Sequence, residues 1–390
     1  MPTTTSTFPL TALLALATAA FTAVMTELLP AGLLPRMSAA LDVSQGQVGF
    51  LVTAYAAAAV VVAIPVTAAL RGLPRRPVLI VVLVGFALLN AVTAASSWYP
   101  LTFAARLLSG VVGGTMWGML VGYAARMVPV THRGRAIAIV SAGITVALCL
   151  GIPAGTALAG AFGWRAAFWV LSVLALLLVG WVVARVPDFP GEPAEARTPL
   201  VRVAKLPGIA VALAVTAAVL LGHQSMYTYL APFTTYTGFG RTGLVLLVFG
   251  IATVAGVWLV GTLVDRHLRA TLLSALALVA AALLALPLST GRPAVLLGAI
   301  AIWGLAFGGI PTLLQTALVD AAGPGNADVA TAMQTTVYNL GIAAGSLVGG
   351  LVLEGAGPAA LPWTALPLLA AALLTVTTTH SAYPHTRPTT

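Results

Sequence analysis

Residues Leu10–Leu34 read LTALLALATAAFTAVMTELLPAGLL, a run in which one side chain, Glu27, can ionise. A helix crosses the hydrocarbon core of a bilayer with about 20 mostly apolar residues. This run is long enough to do so. It is also longer than the roughly 7–15 apolar residues of a secretory signal, and Met1–Pro9 ahead of it holds no Lys or Arg. The expectation is a first membrane-spanning helix.

The same texture recurs outward from it. Apolar residues make up 60% of the 390-residue chain and charged residues 7%, against about 25% charged in a soluble domain. Lipid is the solvent that suits such a surface. Further runs are expected near 47–70, 77–95, 100–125, 136–160 and 164–184. Six more centre near Val219, Ile251, Leu278, Leu305, Ile342 and Leu369. The expected fold is therefore an all-α polytopic membrane protein with twelve transmembrane helices. Residues 1–184 form one six-helix half, 185–205 a polar linker with Asp188, Glu192 and Glu195, and 206–390 a second half.

The basic residues give an orientation. With both termini cytoplasmic, the inner turns and tails hold Arg71, Arg75, Arg76, Arg126, Arg133, Arg135, Arg185, Arg197, Arg202, Lys205, Arg266, Arg269 and Arg387. The outer turns hold Arg36, Arg165, Arg241 and Arg292. This is the positive-inside pattern, expected here for the inner membrane of a bacterial-type cell. The net charge of +9 is spread between apolar runs rather than gathered on one wet face, which excludes a nucleic-acid partner. A single cysteine, Cys149, excludes an intrachain disulfide framework.

The chain also repeats. Arg75–Leu79 and Arg269–Leu273 follow corresponding spans at an offset of 194 residues, and Gly110 with Gly113-Gly114 is echoed by Gly304 with Gly308-Gly309. Transporters commonly place substrate between two such halves, and small residues let helices approach closely.

In its motifs the chain resembles the major facilitator superfamily, specifically the twelve-helix drug:proton antiporter branch with its arabinose-efflux and chloramphenicol-resistance type exporters. Gly261, Leu263, Asp265, Arg266 and Arg269 match that family's turn motif G-x-L-x-D-R-x-x-R. In the first half Arg75 and Arg76 remain, but Thr67 stands at the glycine and Arg71 at the acid. Arg106 and Gly110 match R-x-x-x-G. Gly143 and Gly151-Ile152-Pro153-Ala154-Gly155 form a variant of the antiporter glycine-proline motif, and Thr26–Pro35 is similar to the exporters' first-helix signature. The resemblance implies a central cavity lined by the first and fourth helices, and export of small molecules in exchange for protons.

Of nine acids, only Glu27 lies deep within a span, and Arg106 is the only base so placed. At about 1.5 Å of rise per residue, they lie roughly 12 Å and 10 Å below the outer surface, so they are expected to interact, directly or through water. Hydrocarbon favours the neutral carboxyl and a nearby cation the charged one, which is the balance proton coupling needs. A hydrogen-bonded Glu27 that never titrates, and an Arg106 that anchors helix backbone, are the alternatives. His223 and Gln224 are expected at matching depth in the seventh span as cavity candidates, and His223 is either a titratable group or, as is commoner for a lone His in an apolar helix, a satisfied hydrogen-bonder. Tyr55, Trp117, Tyr123, Tyr227, Trp303 and Tyr338 are candidate cavity rings, suited to apolar or cationic ligands, with packing or a place at the membrane interface as the alternative for each. Asn339, ahead of Gly341 and Gly345, is a cavity candidate or interhelical glue.

No second His or Cys stands at metal-ligand spacing, and no P-loop or nucleophile–base set occurs. No cofactor is expected, and energy is expected from an ion gradient. The expected function is secondary active, proton-coupled export of drug-like or amphipathic compounds by a monomer in lipid. Sugar or metabolite efflux, or proton-coupled import, are alternatives on the same fold. An intramembrane enzyme and a nontransporting receptor are more distant ones.

Overall fold

The structure is a computed structural model that describes residues 8–70, 72–129, 132–191, 203–323 and 326–379. The side chains of 62–65, 67–68, 121, 134, 265–266 and 327–328 are outside that description. Arg71, Glu192, Glu195, Arg197, Arg202 and Arg387, and the side chains of Thr67, Asp265, Arg266 and Asp328, therefore lie outside the described residues.

The protein is an all-helical, multi-pass membrane protein with the twelve-helix fold. In lipid a spanning segment must satisfy its own backbone polar groups, so apolar runs of this length become helices. The first span is Leu10–Leu41, the second Gln45–Leu70, the third Arg75–Ala95, the fourth Tyr99–Arg126 and the sixth Trp164–Arg185. The tenth is Pro293–Ala322, the eleventh Ala327–Ala356 and the twelfth Leu361–Thr378. Among the described residues eleven helices are long and apolar enough to cross a membrane, and the described apolar part of the second span adds Gln45–Val61. Turns are tight. Gly163, at φ +85°, alone separates the fifth span from the sixth, a conformation that glycine adopts without strain.

Three spans are irregular, each for a local reason. The fifth runs Arg133–Val146, widens into one π turn at Ala147–Gly151, and resumes at Ile152–Phe162. Pro153 has no N–H for the carbonyl of Cys149, and its ring pushes that turn open. The seventh runs Ile209–Tyr227, breaks at Thr228 and Tyr229, and resumes as Leu230–Tyr236, because Pro232 cannot donate to Thr228. The eighth and ninth form one run, Thr242–Ala285, bent at His267 (φ −137°, ψ 41°). The turn expected around Gly261–Arg269 is thus helix broken at a single residue.

The repeat seen in the sequence is a repeat of contacts. A Cβ on Gly110 would strike the carbonyl oxygen of Tyr55, and one on Gly114 that of Ala59. In the later spans Gly304 meets the carbonyl of Phe249 and Gly308 that of Thr253. All four glycines and their four partners are related by the same 194-residue offset.

Apolar packing is uneven along the bundle. At the basic-poor ends, Leu29, Leu33, Leu34, Val48, Leu51 and Ile152 share one continuous core with the later spans. Toward the basic-rich ends the early spans have a separate core, built on Leu13, Leu16, Leu79, Phe86, Leu120 and Val140. The early and late spans meet chiefly where the second packs on the eleventh, the fifth on the eighth and the first on the seventh. Gly250 closes on the backbone of Cys149, and Gly32 on Thr156 and Leu246. These seams lie from mid-bundle to the basic-poor end.

Candidate functional site

Glu27 lies in the middle of the first span, where Pro30 leaves the carbonyl of Thr26 without its helical donor. Its side chain is 5% exposed, and Arg106 in the fourth span is fully buried. Arg106 Nη2 donates to the main-chain carbonyl of Glu27 at 3.0 Å. The structure thus brings the buried acid and base together, but through the backbone and not through the carboxylate. The Arg106 guanidinium also lies 5.0 Å from the centre of the Tyr55 ring, a favourable cation–π distance. Tyr55 reaches this place because Gly110 and Gly113 leave room for its backbone and hydroxyl.

Glu27 Oε1, the Tyr55 hydroxyl, and Arg106 Nε and Nη1 are buried with no hydrogen-bond partner among the described residues. Each such group costs about 1–3 kcal/mol if left unmade. Four such atoms lie on three adjoining side chains, which makes this cluster the candidate site. Asn90 in the third span joins them: its Nδ2 donates to Thr26 Oγ1 at 3.0 Å, and its Oδ1 has no partner among the described residues. Sequence reading passed over Asn90, although a fully polar side chain inside the run Val78–Ala95 is the same signal that singled out Glu27.

Across the bundle, Tyr227 and Trp303 join His223, Phe249 and Phe307 in one ring cluster. The His223 ring stacks on Phe307 with centroids 3.4 Å apart, and on Tyr227 at 5.2 Å. Trp303 meets His223 edge-on at 5.2 Å, and Phe249 lies 5.2 Å from both Tyr227 and Trp303. His223 Nδ1, Trp303 Nε1 and the half-buried Tyr338 hydroxyl have no hydrogen-bond partner among the described residues. Phe249 and Phe307 were not foreseen, because a Phe in an apolar run carries no signal of its own. Trp117 is half-buried in the fourth span.

Other candidate side chains are held by hydrogen bonds. Tyr123 fastens the segment after the sixth span: its hydroxyl donates to the carbonyl of Pro187 at 2.8 Å and its ring meets Phe189 edge-on. Asn339 makes no interhelical hydrogen bond among the described residues. Its Nδ2 donates to Thr335 in its own helix at 3.0 Å, while Gly341 and Gly345 let that helix close on Leu220, Leu221 and Gln224. Gln224 donates to Thr228 Oγ1 at 2.9 Å, one turn on and beside the helix break.

The motif residues act as packing and strapping elements. Gly151 is covered by Met25 and Phe21, and Gly155 by Leu29, all of the first span, with Pro153 buried between them. The Arg75 N–H donates to the Phe189 carbonyl at 2.9 Å, and the Arg76 N–H to Asp188 Oδ1 at 3.0 Å. The acid missing from the first-half turn motif is thus answered by Asp188 from the chain after the sixth span. In the later spans Arg269 is buried, and its Nη2 donates to the Thr377 carbonyl at 2.6 Å.

Twelve apolar helices around a buried, unsatisfied acid and base define a multi-pass membrane protein of the transporter fold. The family model described as the Major Facilitator Superfamily matches residues 16–346, and again 243–388. The chain belongs to that superfamily. It is 33% identical over 357 residues to the chloramphenicol resistance protein of Streptomyces lividans, covering 89% of this chain and 91% of that protein. It is 29% identical over 362 residues to the purine ribonucleoside efflux pump NepI of Escherichia coli (strain K12), covering 90% of each. Among solved structures, the human organic anion transporter MFSD10 (TETRAN) superposes with a TM-score of 0.68 at 18% identity, covering 94% of this chain and 98% of that one, a likeness of fold. Of the two sequence relatives, one is named for chloramphenicol resistance and the other for purine ribonucleoside efflux.

Proposed function

We propose that this protein exports small, ring-containing molecules from a bacterial-type cell in exchange for protons, with Glu27 carrying the proton. One observation carries the reading: a carboxyl at mid-span, 5% exposed, with an oxygen that bonds to nothing described. Intramembrane acids are costly and are kept for function. Residues 1–184 and 206–390 act as the two moving halves, joined by a cytoplasmic linker at 185–205, with both termini in the cytoplasm of a monomer in the inner membrane. The basic-rich ends then face inward, and the closed seams face out.

In this state substrate enters from the cytoplasm and binds between the halves while Glu27 releases its proton inward. The halves rock, Glu27 takes a proton from outside, and substrate leaves. Arg106 stays in place through both steps because its anchor is the Glu27 carbonyl, which has no charge to lose. The His223–Trp303 cluster supplies flat apolar faces for a ligand ring.

A resistance panel in an efflux-deficient host tests the reading. The intact protein raises tolerance to some ring-bearing compounds, and Glu27→Gln, expressed at the same level, does not. Full resistance in the variant would remove Glu27 from the coupling step. Efflux of a metabolite is the second reading, favoured by the relatives named for purine ribonucleoside efflux. Tolerance to toxic nucleoside analogues, without tolerance to antibiotics, would select it.

A further inference from the structure

We infer that Tyr229 is the bolt, and the Ser44–Glu354 contact the latch, of a gate that must open for substrate to leave outward. The inference rests on the alternating-access reading above. Tyr229 sits in the break of the seventh span, fully buried. Its hydroxyl donates to the carbonyl of Ser346 in the eleventh span at 2.6 Å. Its ring fills the space over Gly349, and the hydroxyl end occupies the place where a Cβ on Gly49 or Gly350 would stand. Gly49 belongs to the second span, so one side chain ties together elements of both halves. An alanine at 49 or 350 would leave no room for the phenol.

The latch lies nearer the surface. The Ser44 hydroxyl, just ahead of the second span, donates to the Glu354 carboxylate at the end of the eleventh, and Gly46 admits the Glu354 side chain. Beside it a cleft of about 500 Å³ is lined by Ser44, Gln45, Pro232, Tyr236 and Glu354. Water in that cleft can replace the latch bond, since exchange of one hydrogen bond for another has little net cost. The Tyr229–Ser346 bond stays within the later spans and fixes the phenol in place, while the packing of its hydroxyl end on Gly49 crosses to the second span. The two contacts therefore divide the work: Glu354 and Ser44 align the halves at the mouth, and the Tyr229 phenol, seated against Gly49, fills the seam beneath. The helix break behind Tyr229 is where the seventh span can bend to withdraw it.

The native Cys149, 4% exposed at the seam of the fifth and eighth spans, reports on the gate without an added thiol. Cells expressing the full chain are treated with a membrane-impermeant maleimide from outside. Labelling of Cys149 is slow in the parent and at least tenfold faster in Tyr229→Ala and Gly350→Ala. Tyr229→Phe, which keeps the ring and loses one hydrogen bond, is raised a few-fold. In a Cys149→Ser background, Ser44→Cys with Glu354→Cys forms a disulfide that stops transport until a reductant is added. Labelling within twofold of the parent in both Tyr229→Ala and Gly350→Ala overturns the bolt, and transport that continues in the cross-linked protein overturns the latch. If Gly350→Ala does not reach the membrane, Tyr229→Ala and Tyr229→Phe decide the bolt. Maleimide labelling needs neither substrate nor a proton gradient, so a failure of proton coupling at Glu27 reads out separately.

Discussion

At Glu27 the chain places a titratable oxygen beside a cation without joining the two. Arg106 binds the residue's main-chain carbonyl, so losing or gaining the proton breaks no hydrogen bond to the base. A direct ion pair this deep would hold the carboxylate charged, since separating a buried pair costs about 3–5 kcal/mol. Arg106→Lys keeps a cation but loses the planar fork that spans the Glu27 carbonyl and the Tyr55 ring. Its export is expected to fall about tenfold with folding retained. Arg106→Ala removes a charged hydrogen bond worth about 1.5–3 kcal/mol, so both thermal stability and export fall. Equal loss of stability in the two variants would make Arg106 a structural anchor only. Tyr55→Phe isolates the unsatisfied hydroxyl. The ring still faces Arg106 and packs against Gly110, so the melting temperature is expected to hold while proton-coupled transport drops several-fold.

At the scale of helices, glycine position decides which spans can touch. Alanine is favoured over glycine in a helix by about 1 kcal/mol, so an unobstructed Gly→Ala change is neutral or stabilising. Gly180 has nothing near its would-be Cβ, whereas Gly110 and Gly304 face carbonyl oxygens of neighbouring helices. Gly110→Ala and Gly304→Ala are therefore expected to lower stability by about 1–3 kcal/mol through overpacking, and Gly180→Ala not at all. Thermal unfolding in detergent checks this, and similar melting points for all three would remove close packing as the role of the repeated glycines. The repeat was legible because these residues stand at one offset in the chain. Their partners, Tyr55 and Phe249, were not paired from sequence, because nothing in an apolar run says which carbonyl a glycine will meet. The π turn before Pro153 and the break before Pro232 share a readable cause, a missing N–H four residues on. Whether a proline opens a turn or breaks the helix depends on neighbours, and only the fold supplies those.

For the whole molecule, length and hydropathy were enough for twelve spans, because lipid allows apolar segments of this size so few structures. The site was legible where chemistry conflicts with solvent, as with Glu27 and Arg106, and hidden where it does not. Phe249 and Phe307 look like any apolar residue, Tyr123 looks like a cavity ring but serves the chain after the sixth span, and Glu354 reads as a surface acid until the eleventh span meets Ser44. If an uncharged substrate leaves as one proton enters, each cycle carries one positive charge inward. A membrane potential of 100 mV, inside negative, is then worth about 2.3 kcal/mol per proton, or roughly a fifty-fold substrate gradient at equilibrium with equal pH on both sides. Right-side-out vesicles loaded with a neutral substrate and given a potassium diffusion potential should extrude it toward that limit, and imposing a pH gradient, acid outside, should extend it. Glu27→Gln should lose the response to both forces while still exchanging labelled for unlabelled substrate, because exchange needs the halves to rock but no proton to cross. Extrusion of a neutral substrate that ignores the potential yet follows the pH gradient would require a compensating charge, and the one-proton exchange at Glu27 would be wrong.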